Sequence, residues 1–395
     1  MTAQEYQAPE SVARLQQRAL VVGAVGLLLS LVAWFRSPEQ FFHSYLIGFL
    51  FVLGLSLGSL GLLMLQHLTS GHWGIVMRRP LEAATRTLWL VALFFVPIIL
   101  GMKYIYGVWL NAPPSGEGAL LGIQKAYLTP RWFTVRGIIY FAVWLLLAFA
   151  LNRWSRRQDD DRTNRALRRK FKMLSGPGII LYVFGIGFAS IDWAMSLSPG
   201  WFSTIYGFIF VAGEVISSLC LIIAILVLLA KTPPMAGLIQ PRHLHDIGKL
   251  LLAFLMLWAY FSFSQLLIIW SGNQPDEISF YRSRLYGDWG VVAVIVCVFH
   301  FFMPFFLLLS ANLKRKAGQL TSVAFLLVFM RLVDLFWTTR PSFPDSVAYP
   351  SWVDVAVPLA LIGFWLAVFA WNLKALPLLP LGDPKVEEAI EVHEF

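Results

Sequence analysis

The sequence is poor in cysteine: two in 395 residues, Cys220 and Cys297, each isolated within an apolar run. That excludes a disulfide framework, a CxxCH haem attachment and a cysteine cluster for iron–sulfur. Charge is scarce as well. Asp, Glu, Lys and Arg make up only 13% of the chain, too little to solvate the surface of a soluble protein of this length. Acidic residues are the rarer sign, 22 against 31 Lys and Arg, for a net charge of +9. What fills the chain is apolar: 58% of residues are hydrophobic, including 32 Phe and 16 Trp. This composition is that of an integral membrane protein.

A hydrocarbon core about 30 Å thick needs roughly 20 apolar residues per spanning helix. Ten runs qualify, at approximately 19–35, 41–66, 82–110, 134–151, 178–198, 204–230, 247–271, 289–311, 319–337 and 353–372. The first follows Arg14 and Arg18 as a signal peptide would, but LVAWFRSP offers no small-x-small cleavage site, so a retained helix is expected. Segment 1–18 then precedes a membrane domain over 19–372, and 373–395 forms a tail ending in the acidic stretch KVEEAIEVHEF. No connection is long enough for a soluble domain. Lys and Arg concentrate in alternate loops, which predicts both termini in the cytoplasm and accounts for the net charge without nucleic acid. The cluster RWSRRQDDDRTNRALRRKFK reads as a solvated loop, or as a contact for anionic lipid or a partner. Trp and Tyr near helix ends fit the interfacial belt.

Ionisable groups within the runs are costly in lipid, so each needs a partner, a wet cavity or a task. Asp192 falls roughly 9 Å and Glu214 roughly 15 Å from one membrane face, on antiparallel helices joined by Ser-Pro-Gly-Trp. They are candidate rungs of a proton path. In the ninth run Arg331 and Asp334 share a face at i,i+3, and Arg331 is expected within reach of Asp192 too. A partly unpaired, desolvated carboxylate favours proton exchange near neutral pH. His300 belongs near the depth of Glu214, and Ser262 and Gln265 lie one turn apart in the seventh run. Toward the opposite face, Pro80 and Glu82 suit a helix start. His67, His72, His243, His245 and Asp246 are candidates for the inner mouth of a proton path, where capping and headgroup contact explain them equally well. Packing alone accounts for a lone His300, and interhelical hydrogen bonding for Ser262 and Gln265 at ~0.6 kcal/mol each. Glu214 is the hardest to assign to structure alone.

The stretches HLTSGHWGIVMRRPLEAA, FASIDWAMSLSPGWFSTIYGFIFVAGEVISS, HLHDIGKLLLAFLMLWAYFSFSQLLIIWSGNQPDE and MRLVDLFW together resemble the polysulfide-reductase/NrfD-like membrane subunits. Within these they look most like the F subunit of alternative complex III, a bacterial quinol:cytochrome c oxidoreductase. The likeness extends from about Leu46 to Trp371. It implies an all-α fold of ten transmembrane helices, with helices 2–5 and 6–9 as two four-helix bundles and one flanking helix at each end. It also implies the bacterial inner membrane, no redox cofactor bound by this chain, and partners that carry them. Those partners are a homologous NrfD-like subunit credited with quinol oxidation, an iron–sulfur protein, multihaem and monohaem cytochromes c, and a terminal oxidase.

Three readings follow. In the first, the chain anchors the complex and supplies a proton pathway through Asp192, Glu214, His300, Arg331, Asp334, Ser262, Gln265, His67 and Asp246. In the second, a quinol head sits among Asp192, Trp193, Trp201 and Tyr206, since Asp192 matches the aspartate implicated in quinol chemistry in the homologue; the expected histidine partner is not evident on runs five or six. In the third, the buried charges satisfy one another and the chain is an anchor only.

Overall fold

The computed structural model describes residues 5–71, 73–113, 120, 122–161, 165–344, 346–383 and 386. Among them the regular structure is helical, and ten helices are long and apolar enough to cross a membrane. These are α1 (Glu10–Arg36), α2 (Pro38–Thr69), α3 (Trp73–Leu100), α4 (Pro130–Asp160), α5 (Ala166–Leu197), α6 (Tyr206–Leu229), α7 (Pro241–Gly272), α8 (Asp288–Leu309), α9 (Ala317–Ser342) and α10 (Trp352–Lys374). Ten crossings bring both chain ends to one membrane face, here termed the terminal face; the other is the far face.

Helix α2 is the hub. Its apolar window is 100% buried, against 22% for α7 and for α8, which therefore present most of their surface to lipid. Helices α3 and α5 pack on α2 and α4 on α5, α7 and α9 pack on α6 and α8 on α9, while α2 and α6 join the two groups; α1 and α10 lie together against α2. Small residues permit this closeness, as is usual where dispersion rather than hydrophobicity drives helix association. A Cβ at Gly58 would stand 2.2 Å from the Glu214 carbonyl oxygen, and one at Gly26 2.7 Å from the Ala360 nitrogen. Ser218 seals the α2–α6 seam by donating to the Leu55 carbonyl at 2.7 Å.

Several features differ from the hydropathy reading, three of them in helices α3 and α8. Helix α3 starts at Trp73, with Pro80 inside it, because its first turns are buried within the protein and their charged residues escape a hydropathy window. After Leu100, where the third run was expected to continue to 110, the chain breaks at Gly101 and Tyr106 into two single turns. Helix α8 widens into a π-helical segment over Val296–Phe302. Pro304 has no N–H for the His300 carbonyl, and its ring crowds that oxygen, so the wider turn is the local solution. Beyond α10 the chain folds back: Leu378 donates its N–H to Tyr6 at 2.8 Å, and Gly382 to the Asp159 carboxylate at 3.2 Å. Of the acidic tail, only Val386 lies within the described residues.

Candidate functional site

Midway through α6, Gly213 and Glu214 face two neighbours at once. The missing side chain of Gly213 makes room for Arg331 of α9, whose guanidinium carbon would lie 2.4 Å from a Cβ there. Arg331 pairs with Asp334 one turn along, and both are buried. Glu214, also buried, has no cation within ion-pair distance among the described residues. Its one hydrogen bond is a long one, 3.5 Å, from the Tyr182 hydroxyl of α5, which lies over Gly61 of α2. Arg331 exerts its field on Glu214 and on His300. The guanidinium is paired with Asp334, which leaves the neighbouring buried Glu214 without an ion-pair partner among the described residues.

His300 sits in the π-helical turn, fully buried, edge-on to Trp258 with ring centroids 4.4 Å apart. Among the described residues neither ring nitrogen has a hydrogen-bond partner. A buried, unpaired imidazole costs about 1–3 kcal/mol, and such orphans mark places that take water, a ligand or a proton.

A cavity of about 660 Å³ opens between α7 and α8 toward lipid and reaches inward to Arg331 and Asp334. Its walls are mainly apolar and aromatic, with Tyr206, Ser262, Gln265 and Tyr281 as polar points. Gln265 is held: it accepts from Ser203 at 2.9 Å and donates to the Tyr281 hydroxyl at 2.9 Å. Tyr206 is buried, yet its hydroxyl has no partner among the described residues. Next to the lining residue Leu285, Arg284 of the short helix Pro275–Leu285 donates to Thr338 O and Ser342 Oγ at 2.7 and 2.6 Å. Burial pushes its guanidinium down to about 10, which leaves it cationic at neutral pH.

Asp192 belongs to a different cluster, and its expected neighbour Arg331 is not its partner. Arg136 of α4 grips it through two nitrogens, Nη2 to Oδ1 at 2.7 Å and Nε to Oδ2 at 2.9 Å, and Tyr140 donates to Oδ2 at 2.8 Å. The carboxylate is 0% exposed. Trp193 beside it is packed among Phe49, Phe95, Phe141 and Trp144, and Trp201 stacks on Phe280 at 3.7 Å. Trp201 and Tyr206 meet edge to face with ring centroids 5.4 Å apart, but of the four residues read as one quinol pocket only Tyr206 lines the cavity; Asp192, Trp193 and Trp201 do not. Helix rotation, which hydropathy does not encode, turned Asp192 toward α4.

At the terminal face the candidates also diverge. Asp246 is half exposed, 3.2 Å from Lys249. His67 is buried, stacked on Phe171 at 4.3 Å, away from the water expected there; His72 lies outside the described residues. Sequence reasoning missed the densest charge cluster of this half. Glu82 does not open a helix: it accepts from Arg78 at 3.0 Å, Arg79 at 2.6 Å and Ser155 at 2.6 Å. Arg78 continues to Asp383 at 2.8 Å and Arg79 to Asp159, so α3, α4 and the folded-back tail are tied together. The signal was the Arg-Arg-Pro-Leu-Glu spacing, which puts both arginines within a turn of Glu82. Missed too was His43, whose Nδ1 accepts from Arg340 at 2.8 Å while Nε2 donates to Tyr104 O at 3.0 Å, the neutral tautomer these partners require.

Among the described residues no three His, Cys, Asp or Glu side chains gather as a metal site would require. No family model matches the chain, and no curated protein is significantly similar to it.

Proposed function

We propose that this chain is the proton-handling membrane subunit of a quinol-oxidising respiratory assembly of the alternative-complex-III type, in the bacterial inner membrane with its terminal face cytoplasmic. The observation that carries the reading is Arg331, paired with Asp334 and packed against Gly213, the residue next to the buried Glu214. With Arg331 on Asp334, Glu214 holds a proton; when Arg331 turns to Glu214, that proton is released and Asp334 must take one up. Two arrangements of one guanidinium form the two-state element that coupling demands. Tyr182 and His300 flank Glu214 and Arg331 as relays, and the homologous subunit, the iron–sulfur protein and the cytochromes c supply electron transfer. Asp192 and Glu82, closed in their own ion pairs, serve as anchors in this scheme.

The test is Glu214→Gln in the intact assembly, which keeps shape and removes the exchangeable proton. Quinol-driven proton release should fall at least tenfold, about 1.4 kcal/mol in barrier, while the subunits stay assembled. Unchanged proton release with full turnover would leave the anchor reading alone.

A second reading is favoured by the unpaired Tyr206 hydroxyl: the α7–α8 cavity takes the quinol head itself, with Tyr206 as hydrogen-bond partner and Asp334 as proton acceptor. Loss of a bound quinone from the purified assembly on Tyr206→Phe would support it; retention would reject it.

A further inference from the structure

A second cavity lies at the terminal end of α3 and α4, outside every group used above. It encloses about 470 Å³ and is lined on one side by Thr85, Arg86 and Trp89, and on the other by α4 from Leu145 to Arg157. Along α4 this is about 18 Å of helix. Its character changes with depth. Trp89, Leu145 and Phe149 form an apolar floor in the hydrocarbon zone, and Trp89 and Phe149 are exposed toward lipid. One to two turns nearer the face, Arg86, Arg153, Arg156 and Arg157 converge on the same space.

These arginines carry surplus charge. Among the described residues no carboxylate stands within ion-pair distance of any of the four. The nearby Glu82 is already shared by Arg78 and Arg79. Arg86 is tethered by its Nη2 to the Asn372 carbonyl at 2.8 Å and feels the attraction of Glu82 as well as the repulsion of Arg156 and Arg79. Four like charges around one cavity repel one another unless an anion sits between them, and guanidinium forks match phosphate oxygens in pairs. The apolar floor below requires that this anion carry hydrocarbon.

We infer that the α3–α4 cavity is a binding site for an anionic phospholipid, with its phosphate held by Arg86, Arg153, Arg156 and Arg157 and its acyl chains laid along Trp89, Leu145 and Phe149. Basic pockets between helices at the cytoplasmic leaflet take such headgroups on general electrostatic grounds. The site stands independently of any respiratory role.

The test uses the full chain, purified and delipidated in a neutral detergent. It is titrated separately with phosphatidylglycerol, phosphatidylcholine and inorganic phosphate, and read by thermal stability and by native mass spectrometry. Phosphatidylglycerol should bind and raise the melting temperature, while phosphatidylcholine and phosphate leave it unchanged. Each of Arg153→Gln, Arg156→Gln and Arg157→Gln, all at exposed positions, should weaken lipid binding about fivefold, the effect expected of one basic residue at a charged bilayer surface. Phe149→Ala should weaken it without altering its salt dependence. Equal binding of phosphatidylcholine, or an equal response to inorganic phosphate, overturns the proposal. So does a full chain that responds to phosphatidylglycerol only after truncation behind Asp383, which would make the acidic tail the occupant.

Discussion

Arg136 and Asp192 close on each other as a two-pronged pair between α4 and α5, with 2.7 and 2.9 Å contacts, and Tyr140 donates to Oδ2 at 2.8 Å. The Asp192 side chain is fully buried. Arg136→Gln would leave it buried and uncompensated, and the expected loss of stability is on the order of 3 kcal/mol, at the low end for buried pairs because Arg136 is partly exposed. The double variant with Asp192→Asn should recover more than half of that. Thermal unfolding in nanodiscs measures both; a double variant as unstable as the single one would show that the carboxylate has another partner.

Glu82 is the corresponding keystone at the terminal face. Glu82→Gln removes the carboxylate that Arg78 and Arg79 share, leaving two buried guanidinium groups with only the peripheral Asp383 and Asp159, and should cost on the order of 3 kcal/mol. Asp383→Asn removes only a half-buried end of the network and should cost under about 1 kcal/mol, releasing the tail without unfolding the bundle. Limited proteolysis behind Lys374, compared with melting temperature, separates the two outcomes.

Gly213→Ala tests the Arg331 arrangement without touching a titratable group. A methyl there collides with the guanidinium, 2.4 Å from its central carbon, so Arg331 must move or the helices separate. Proton release in the assembly should fall at least as far as for Glu214→Gln, with a stability loss of about 1–3 kcal/mol from overpacking. Wild-type proton release in a folded Gly213→Ala variant would remove Arg331 from the mechanism.

Gly58→Ala presses on the Glu214 carbonyl from α2, where a Cβ would lie 2.2 Å from the oxygen. Here the contact is backbone, which cannot yield as a side-chain tip can. The α2–α6 seam should open, with a stability loss above about 3 kcal/mol or failure to accumulate in the membrane. Normal expression and melting temperature would contradict the packing described.

Tyr206→Phe should separate stability from function. Removing an unpaired buried hydroxyl leaves stability unchanged or raises it by about 1 kcal/mol. If the cavity accepts a ligand through that hydroxyl, binding falls at the same time. A variant with reduced stability would indicate a structural partner for Tyr206 instead.

Much of the fold was legible because hydropathy is local. Runs such as 41–66 and 204–230 announce α2 and α6 by length and composition, whatever lies beside them. The start of α3 was not, since Arg78, Arg79 and Glu82 lower the local hydropathy while being buried against one another. Among the candidate site residues, pairing within one helix was legible and pairing between helices was not. Arg331 and Asp334 were readable as a pair because i,i+3 geometry belongs to one helix. Asp192 was assigned toward Arg331, yet Arg136, 56 positions earlier, holds it.

The chain's amino acids alone determined that ten apolar helices form and that Glu214, His300 and Arg331 lie within them, because burial in hydrocarbon depends on composition along a segment. Only the tertiary structure decided that Gly213 admits Arg331 beside Glu214, that Asp192 turns to Arg136, and where the two cavities open. Those outcomes depend on the rotation and crossing of each helix against its neighbours, and they are set by the close contacts of Gly58, Gly61 and Gly213 across helices rather than by any stretch read on its own.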